Sequence, residues 1–471
     1  MSIRVALLTV VVTGLAIYAW RNWFVSLCGL ILLMAVMQHP DMPTNIGGIQ
    51  GLNPWNILMA DILLAWAMTR SQGRYVWDMP RYVNILLILY LGVVVVGFLR
   101  MMVDRPGLEH LSIGYLVSEH LINCVKWVIP SLLLFDGCRT KGRVYMAMCC
   151  ILGLYFLLAL QVAKHISPRA AVSGDALSYT ALKIISNNIG YSRVNMSMML
   201  SGASWAIFAM LPLFRRWKWR LLILAAGIIV AYAQALTGGR MGYVAWATVG
   251  LILCMIRWRK ALLFAPLVPL AIVLILPGTM ERMLQGTGQV DAAGEEYTDE
   301  AEMTADRMLI WPYVIEKIGE SPGLGYGRQA MVRTRLSGQF AHLGFSHPHN
   351  AYLEFMLDNG LLGFMLVMPF YGVVMWQAMR LFLDRHSTLC AAVGGMTCAL
   401  VLALLVAAMG SQTFYPREGS LGMWAAIMLM FRVAVERRRQ LAVLPVRQGS
   451  AAWPQNRVAS GTPLPASGLR T

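Results

Sequence analysis

The chain alternates long apolar runs with short polar connections. The runs fall at 5–20, 23–37, 56–69, 83–103, 120–135, 144–163, 194–214, 221–236, 241–256, 261–276, 352–379, 388–408 and 421–435. They lack the two-residue alternation of barrel strands, and each is near the length that a roughly 30 Å hydrocarbon core demands. Backbone groups in lipid must be satisfied within their own segment, so helices are the spanning element. The pattern predicts an all-α, polytopic integral membrane protein with about twelve transmembrane helices. The first run could be taken for a secretory signal, but no small-residue cleavage site follows it and the second begins almost at once. The pair reads as an uncleaved helical hairpin.

The polar connections divide by charge. Arg70/Arg74/Arg81, Arg139/Lys141/Arg143, Arg215/Arg216/Lys218/Arg220, Arg257/Arg259/Lys260, Arg380/Arg385 and Arg437/Arg438/Arg439 occupy alternate connections, the distribution expected of a cytoplasmic side. The opposite connections include 39–55, with no Lys or Arg, and 277–348, which carries Asp291, Glu295, Glu296, Asp299, Glu300 and Glu302. That long connection is expected to be one large periplasmic loop. Its acidic run lacks the ordered spacing of a calcium loop and reads as a solvated insertion. Three parts result: an N-terminal transmembrane bundle (1–236), a second region (237–435) that includes the loop, and a tail (436–471) whose Pro, Gly, Ser and Ala composition is that of a disordered cytoplasmic segment.

Composition agrees. Only 13% of the 471 residues are charged, against about 25% in soluble domains. The net charge of +16 would suggest nucleic acid in a soluble protein; here the cytoplasmic connections account for it. The 8 cysteines lie in or beside apolar runs without metal-ligand spacing and read as small packing residues.

One stretch, 306–363, is polar and glycine-punctuated where the rest is hydrocarbon. Arg307 opens a segment in which Ile310, Val314 and Ile318 recur at helical spacing beside Trp311 and Tyr313, suiting a helix at the membrane interface. His349 directly precedes the run beginning at Tyr352, with Asn350 available as its N-cap. Upstream, Arg240 ends the turn Leu236-Thr237-Gly238-Gly239-Arg240 on the same outer face. Two guanidinium forks suit a diphosphate, a helix N-terminus adds positive potential, and an imidazole can take a proton from an attacking hydroxyl. Taken singly, Arg240 or Arg307 reads better as a headgroup anchor. His347-Pro348-His349 is a weak metal-ligand set without a Cys or carboxylate partner, so no metal or other cofactor is expected. Gly323-Leu324-Gly325-Tyr326-Gly327 follows no strand and lacks Lys-Ser/Thr, so a tight turn is a better reading than a phosphate loop.

Together these motifs resemble the O-antigen ligase and polymerase superfamily. Arg307-x-x-x-Trp311 followed by Glu320-x-Pro322-x-x-Gly325-x-Gly327 is similar to the first half of its signature domain. His349-Asn350-x-Tyr352-Leu353 with Asn359-Gly360-Leu361-Leu362-Gly363 is similar to the second, and Gly239-Arg240-x-Gly242 resembles its small-Ser-Arg-Gly element. The resemblance covers roughly 236–364. It implies a metal-independent, inverting glycosyltransferase of the GT-C type in the bacterial inner membrane. The active site would be periplasmic and the donor a glycan on undecaprenyl diphosphate. By this resemblance Arg240 and Arg307 would hold the diphosphate and His349 would activate or orient the acceptor hydroxyl. Gly239 stands where many relatives have Ser, and His347 beside His349 leaves two imidazoles as candidates. Further binding candidates on the same face are Asn350, Arg193, Tyr326 and Arg417, with His342 and Glu418 behind them.

The partners implied are the lipid-linked donor, a glycan or lipid-carrier acceptor, and membrane lipid. The acceptor would distinguish a polymerase from a ligase or from a protein O-oligosaccharyltransferase. A solute transporter or lipid flippase is the alternative from another class, but such proteins place ionisable residues near the membrane midplane. Here Asp61 is the main charge within a run, and the polar inventory gathers at the outer boundary.

Overall fold

The computed structural model describes residues 3–46, 51–73, 76–285, 289–290, 296–297, 307–340, 346–410 and 413–443. The protein is all-α and multi-pass: among the described residues, eight helices are long and apolar enough to cross a membrane. A two-residue ladder pairing Gln289 with Tyr297 and Val290 with Glu296 is the sole β element there.

The first two apolar runs form one element, Ile3–Met37, broken at Asn22 (φ −154°, ψ 83°). The chain reverses at that point, because the Ser26 hydroxyl donates to the Leu15 carbonyl at 2.7 Å and Arg4 meets Asp41 at 3.0 Å. The expected hairpin is therefore present. Six further runs follow as Arg81–Val103, Lys141–His165, Arg193–Leu213, Trp217–Leu236, Ala351–Phe382 and Thr388–Ala407, and an eighth helical segment is Glu418–Ala442. The runs at 56–69 and 241–256 form the helices Pro54–Ser71 and Arg240–Ile256.

Two runs depart from a single spanning helix. The 120–135 run is interrupted by a π-helical turn, Ser118–Ile122, and restarts at Ile129–Gly137 with Pro130 in its first turn. The 261–276 run is split into a 3₁₀ segment, Arg259–Phe264, and the short helix Leu267–Ile275 next to Pro266, where proline removes a backbone donor. At the other end, Leu421–Val443 continues eight residues past the start expected for the tail at 436. Arg432, Arg437 and Arg439 make ion pairs there and hold the last turns in place. The rest of the tail, His342, and all but the Glu296 backbone of the acidic run lie outside the described residues.

The Thr388–Ala407 helix is the hub, packing on Arg193–Phe208, Arg240–Ile256, Ala351–Phe382 and Leu421–Val443. Small residues permit it: a Cβ on Gly202 would lie 2.9 Å from Ala403 Cβ and 3.1 Å from the Ala399 carbonyl. Close approach through small residues is how helices associate in lipid, where apolar burial alone gives no advantage.

The two ends of the bundle differ in chemistry. Three helices carry a candidate residue at or beside their N-terminus (Arg240, His349, Arg417) and a partnered arginine or aspartate at or beyond their C-terminal half (Arg257, Asp384, Arg432). At the C-terminal end, Arg432 is fully buried and meets Asp78 at 2.5 and 2.8 Å. Asp136 takes Arg70 at 2.6 Å and Arg139 at 2.8 Å, and Arg437 reaches Asp384 at 2.8 Å. The arginine-rich connections thus gather at one end, and the candidate site occupies the other.

Candidate functional site

The two halves of the 306–363 stretch clasp each other. The Ala351–Phe382 helix breaks at Gly360 (φ +66°, ψ −178°), a backbone conformation open essentially to glycine. The 321–327 loop docks into this break through four backbone hydrogen bonds. Tyr326 N donates to Leu357 O (2.9 Å), Gly327 N to Asp358 O (2.7 Å), Leu361 N to Pro322 O (2.7 Å) and Leu362 N to Gly323 O (3.1 Å). Gly325, at φ +63°, backs directly onto Leu357, Asp358 and Gly360. The glycine motif is a backbone clasp, in keeping with a tight turn.

The clasp seats the Arg307–Glu320 helix, whose Ile310 and Val314 are buried with Ile318 packed beside them. From that helix Trp311 Nε1 donates to the Pro348 carbonyl at 3.0 Å, tying it to the two histidines. His349 adopts φ +53°, unusual for a residue with a side chain. Its backbone N–H donates to His347 Nδ1 at 3.3 Å, and the two ring centroids are 4.0 Å apart. Asn350 then caps the next helix, its side-chain oxygen accepting from Tyr352 N (3.0 Å) and Leu353 N (3.3 Å). That cap uses the side-chain oxygen of Asn350.

Cations surround the imidazoles. Burial, then His347, then Arg307 push the His349 imidazole down to about 3; burial, Arg417 and Arg307 lower His347 as well. Both rings are therefore held neutral near pH 7. Arg307 is half-buried, and its Nη1 would lie 3.1 Å from a Cβ on Gly410, which in turn abuts Met241, the residue after Arg240. Arg193, which donates to the Ser178 hydroxyl at 2.6 Å, feels the charges of Arg282, Arg240 and Arg307. Nε of Arg193 and Nε of Arg307 are buried with no hydrogen-bond partner among the described residues. Arg240 is the first residue of its helix, after Gly238 (φ +65°) and the N-cap Gly239. A Cβ on Gly239 would stand 2.5 Å from the Ser197 hydroxyl, so a serine from the facing helix fills the space a side chain at 239 would need.

Four arginines and two imidazoles thus share one neighbourhood, beside the positive ends of helices starting at Arg193, Arg240 and Ala351. Tyr326 is not among them: its hydroxyl donates to Glu320 at 3.0 Å on the exposed side of the Arg307–Glu320 helix. Arg282, from Pro277–Leu284, is an addition that its ordinary-looking context did not signal.

A cavity of about 530 Å³ opens beside this group, lined by His347, Arg417, Arg328, Glu354 and residues of the N-terminal bundle. Arg328 lies 3.3 Å over the Tyr415 ring and 3.5 Å from both Glu354 and Asp358. Tyr415 donates to Asp358 at 2.9 Å and accepts from Asn359 at 2.6 Å. Glu354 and Asp358, four residues apart in an apolar run, were the available sign of this buried network, since charges within such a run are costly and usually partnered.

Among known proteins, residues 225–368 match the family described as O-antigen ligase. A protein of Rickettsia conorii provisionally named a polysaccharide ligase is 26% identical over 147 residues, 30% of this chain and 35% of that protein. A Rickettsia typhi protein of the same provisional name is 27% identical over 149 residues, 30% of this chain and 36% of the other. The resemblance drawn from the motifs is borne out, and the matches span about a third of the length of these relatives. The matched segment contains Arg240, Arg282, Arg307, His347 and His349; Arg193 and Arg417 lie outside it.

Proposed function

We propose that this protein is a membrane polysaccharide ligase: a glycosyltransferase moving a glycan from undecaprenyl diphosphate to an acceptor hydroxyl at the periplasmic face, without a metal and with inversion. One observation carries the proposal: Arg307, within the O-antigen ligase segment, acts on both the imidazole pair and Arg193, which also feels Arg240. The arginine-rich connections at the opposite end of the bundle support an inner-membrane location with the site on the periplasmic side.

In the proposed reaction the diphosphate sits among Arg307, Arg240 and Arg193, whose desolvated forks bind its oxygens and stabilise the charge that grows as it leaves. His349, held neutral, accepts the proton of the attacking hydroxyl. The acceptor oxygen forms a bond to the anomeric carbon while the bond from that carbon to the phosphate oxygen breaks, and the electron pair departs with the diphosphate. His347 orients its neighbour through the backbone N–H of His349. Transfer onto a protein hydroxyl is the same chemistry with another acceptor.

The experiment is a transfer assay with purified protein, a lipid-diphosphate glycan and candidate acceptors. A new glycosidic product that disappears in Arg307→Ala and His349→Ala, at unchanged protein abundance, supports the proposal. Lipid movement in vesicles without any new glycosidic bond overturns it.

A further inference from the structure

We infer that the 530 Å³ cavity is the acceptor site and that it is built for an uncharged sugar, read by residues of the N-terminal bundle. The inference rests on the transferase reading above and adds the acceptor's chemistry to it.

Its position argues first. The cavity wall includes His347, and none of Arg193, Arg240, Arg282 or Arg307 lines it. The imidazole pair therefore borders both: Arg307 acts on the two rings, and His347 also lines the cavity. An inverting displacement requires the nucleophile to approach opposite the leaving group. A diphosphate among the arginines leaves the cavity as the side from which the hydroxyl arrives.

Its lining argues second. Three cations, Lys126, Arg328 and Arg417, are matched by three carboxylates, Glu119, Glu354 and Glu418. A phosphorylated ligand would meet those carboxylates as like charges, unlike the neighbouring group of arginines. A polyhydroxylated neutral ligand suits a wall that alternates donors and acceptors, because each sugar hydroxyl is both. The volume lies within the range of roughly 300–1,000 Å³ for small-molecule sites.

The third argument is local structure. The π-helical turn Ser118–Ile122 interrupts an apolar run, as such turns commonly do at functional sites. It brings Glu119 and His120 to the cavity wall, with Asn123 just beyond donating to Glu119 at 2.7 Å. His120 is 8% exposed, and its Nδ1 is buried with no hydrogen-bond partner among the described residues. An unpartnered ring nitrogen costs free energy unless a ligand meets it. These residues, with Asn53 and Asn56 at the start of Pro54–Ser71, lie outside the matched 225–368 segment. The imidazole pair, Arg240 and Arg307 thus lie in the matched segment, while Asn53, Asn56, Glu119 and His120 of the cavity wall lie in the bundle before it.

The test uses full-length protein in lipid nanodiscs. Saturation-transfer NMR with glucose, N-acetylglucosamine and glucose 6-phosphate reads binding directly; signal from the neutral sugars, lost in Glu119→Gln and His120→Gln, supports the inference. Thr44→Trp narrows the exposed mouth without touching the core and should abolish the same signal. In the transfer assay the three variants should raise acceptor KM by about tenfold or more with donor KM unchanged. Preferential binding of glucose 6-phosphate, or an unchanged acceptor KM in all three while Arg307→Ala is inactive, overturns this inference and leaves the transferase reading intact. Sugar binding by a wild-type protein that transfers no glycan would do the reverse.

Discussion

His347 and His349 stand with ring centroids 4.0 Å apart, and the backbone N–H of His349 donates to Nδ1 of His347. The bond requires His347 Nδ1 to be unprotonated, so a neutral His347 carries its hydrogen on Nε2. Two nearby imidazoles under the field of Arg307 cannot both hold a proton cheaply. In the proposed reaction the His349 ring receives the proton of the incoming hydroxyl and His347 orients it.

His349→Ala should lower transfer by about 10²–10⁴-fold, the usual contribution of a general base. His347→Ala should cost less and raise KM for the acceptor, because this ring lines the cavity. Steady-state kinetics on both variants decides the assignment; full activity in His349→Ala sinks it.

The pH dependence has a definite sign. The His349 imidazole is held near 3 against an ordinary value of 6.5. Activity should therefore survive acidification through pH 6.5 and decline only well below it. Stability falls earlier: the folded state resists protonation, so this contribution is complete above about 6.5 and is lost as pH falls toward about 3. Melting curves of wild type and His349→Asn between pH 7 and 4 should converge at the acid end. A rate profile with its midpoint at 6.5 would exclude His349 as the base.

Arg307→Ala should reduce turnover by about 10²–10³-fold, as expected for removal of one charge-stabilising donor. Arg307→Lys should recover part of it, since an ammonium keeps the charge and loses the bidentate fork. Equal activity of Arg307→Ala and wild type would remove the diphosphate from this group. EDTA should leave wild-type turnover unchanged.

Gly360→Ala should damage folding before chemistry. Its φ of +66° and ψ of −178° suit glycine alone, and a Cβ would strike the Gly323 carbonyl. The conformation alone costs about 1–3 kcal/mol, and the collision adds to it. Size-exclusion profiles in detergent should show less monodisperse protein; an unchanged profile and melting point would contradict the clasp.

Arg432→Ala leaves Asp78 with less compensation in a half-enclosed site. Arg139 and Arg439 still face Asp78, so the loss should be smaller than for a lone buried pair: the melting temperature should drop while residual folded protein keeps its acceptor KM.

Much of this was legible from the residues. Hydropathy located the long helices, the alternating arginine connections located the two ends, and motif order brought Arg240, Arg307 and His349 to one end. What was missed depends on distance in space. The π-turn at Ser118 and the Pro266 break are local departures inside runs that read as uniform hydrocarbon. Arg282 joins the site only because Pro277–Leu284 folds back onto Gly174–Ile184. Tyr326 sits in the right motif, but the clasp turns its hydroxyl to Glu320. Nothing in spacing alone distinguishes those outcomes.

The ion pairs joining Arg432, Asp78, Arg139, Asp136 and Arg70 rivet one extremity of the bundle. The other extremity combines a backbone clasp, helix caps and the Arg328–Glu354–Asp358 network with a group of like-charged guanidiniums. The lipid-linked donor of the proposed reaction is bulky and has to be admitted somewhere, and like charges make the arginine end the cheaper one to open. The protein would then work as tongs, with its fulcrum in the arginine network and its jaws opening where the anion is received and closing once the anion neutralises them.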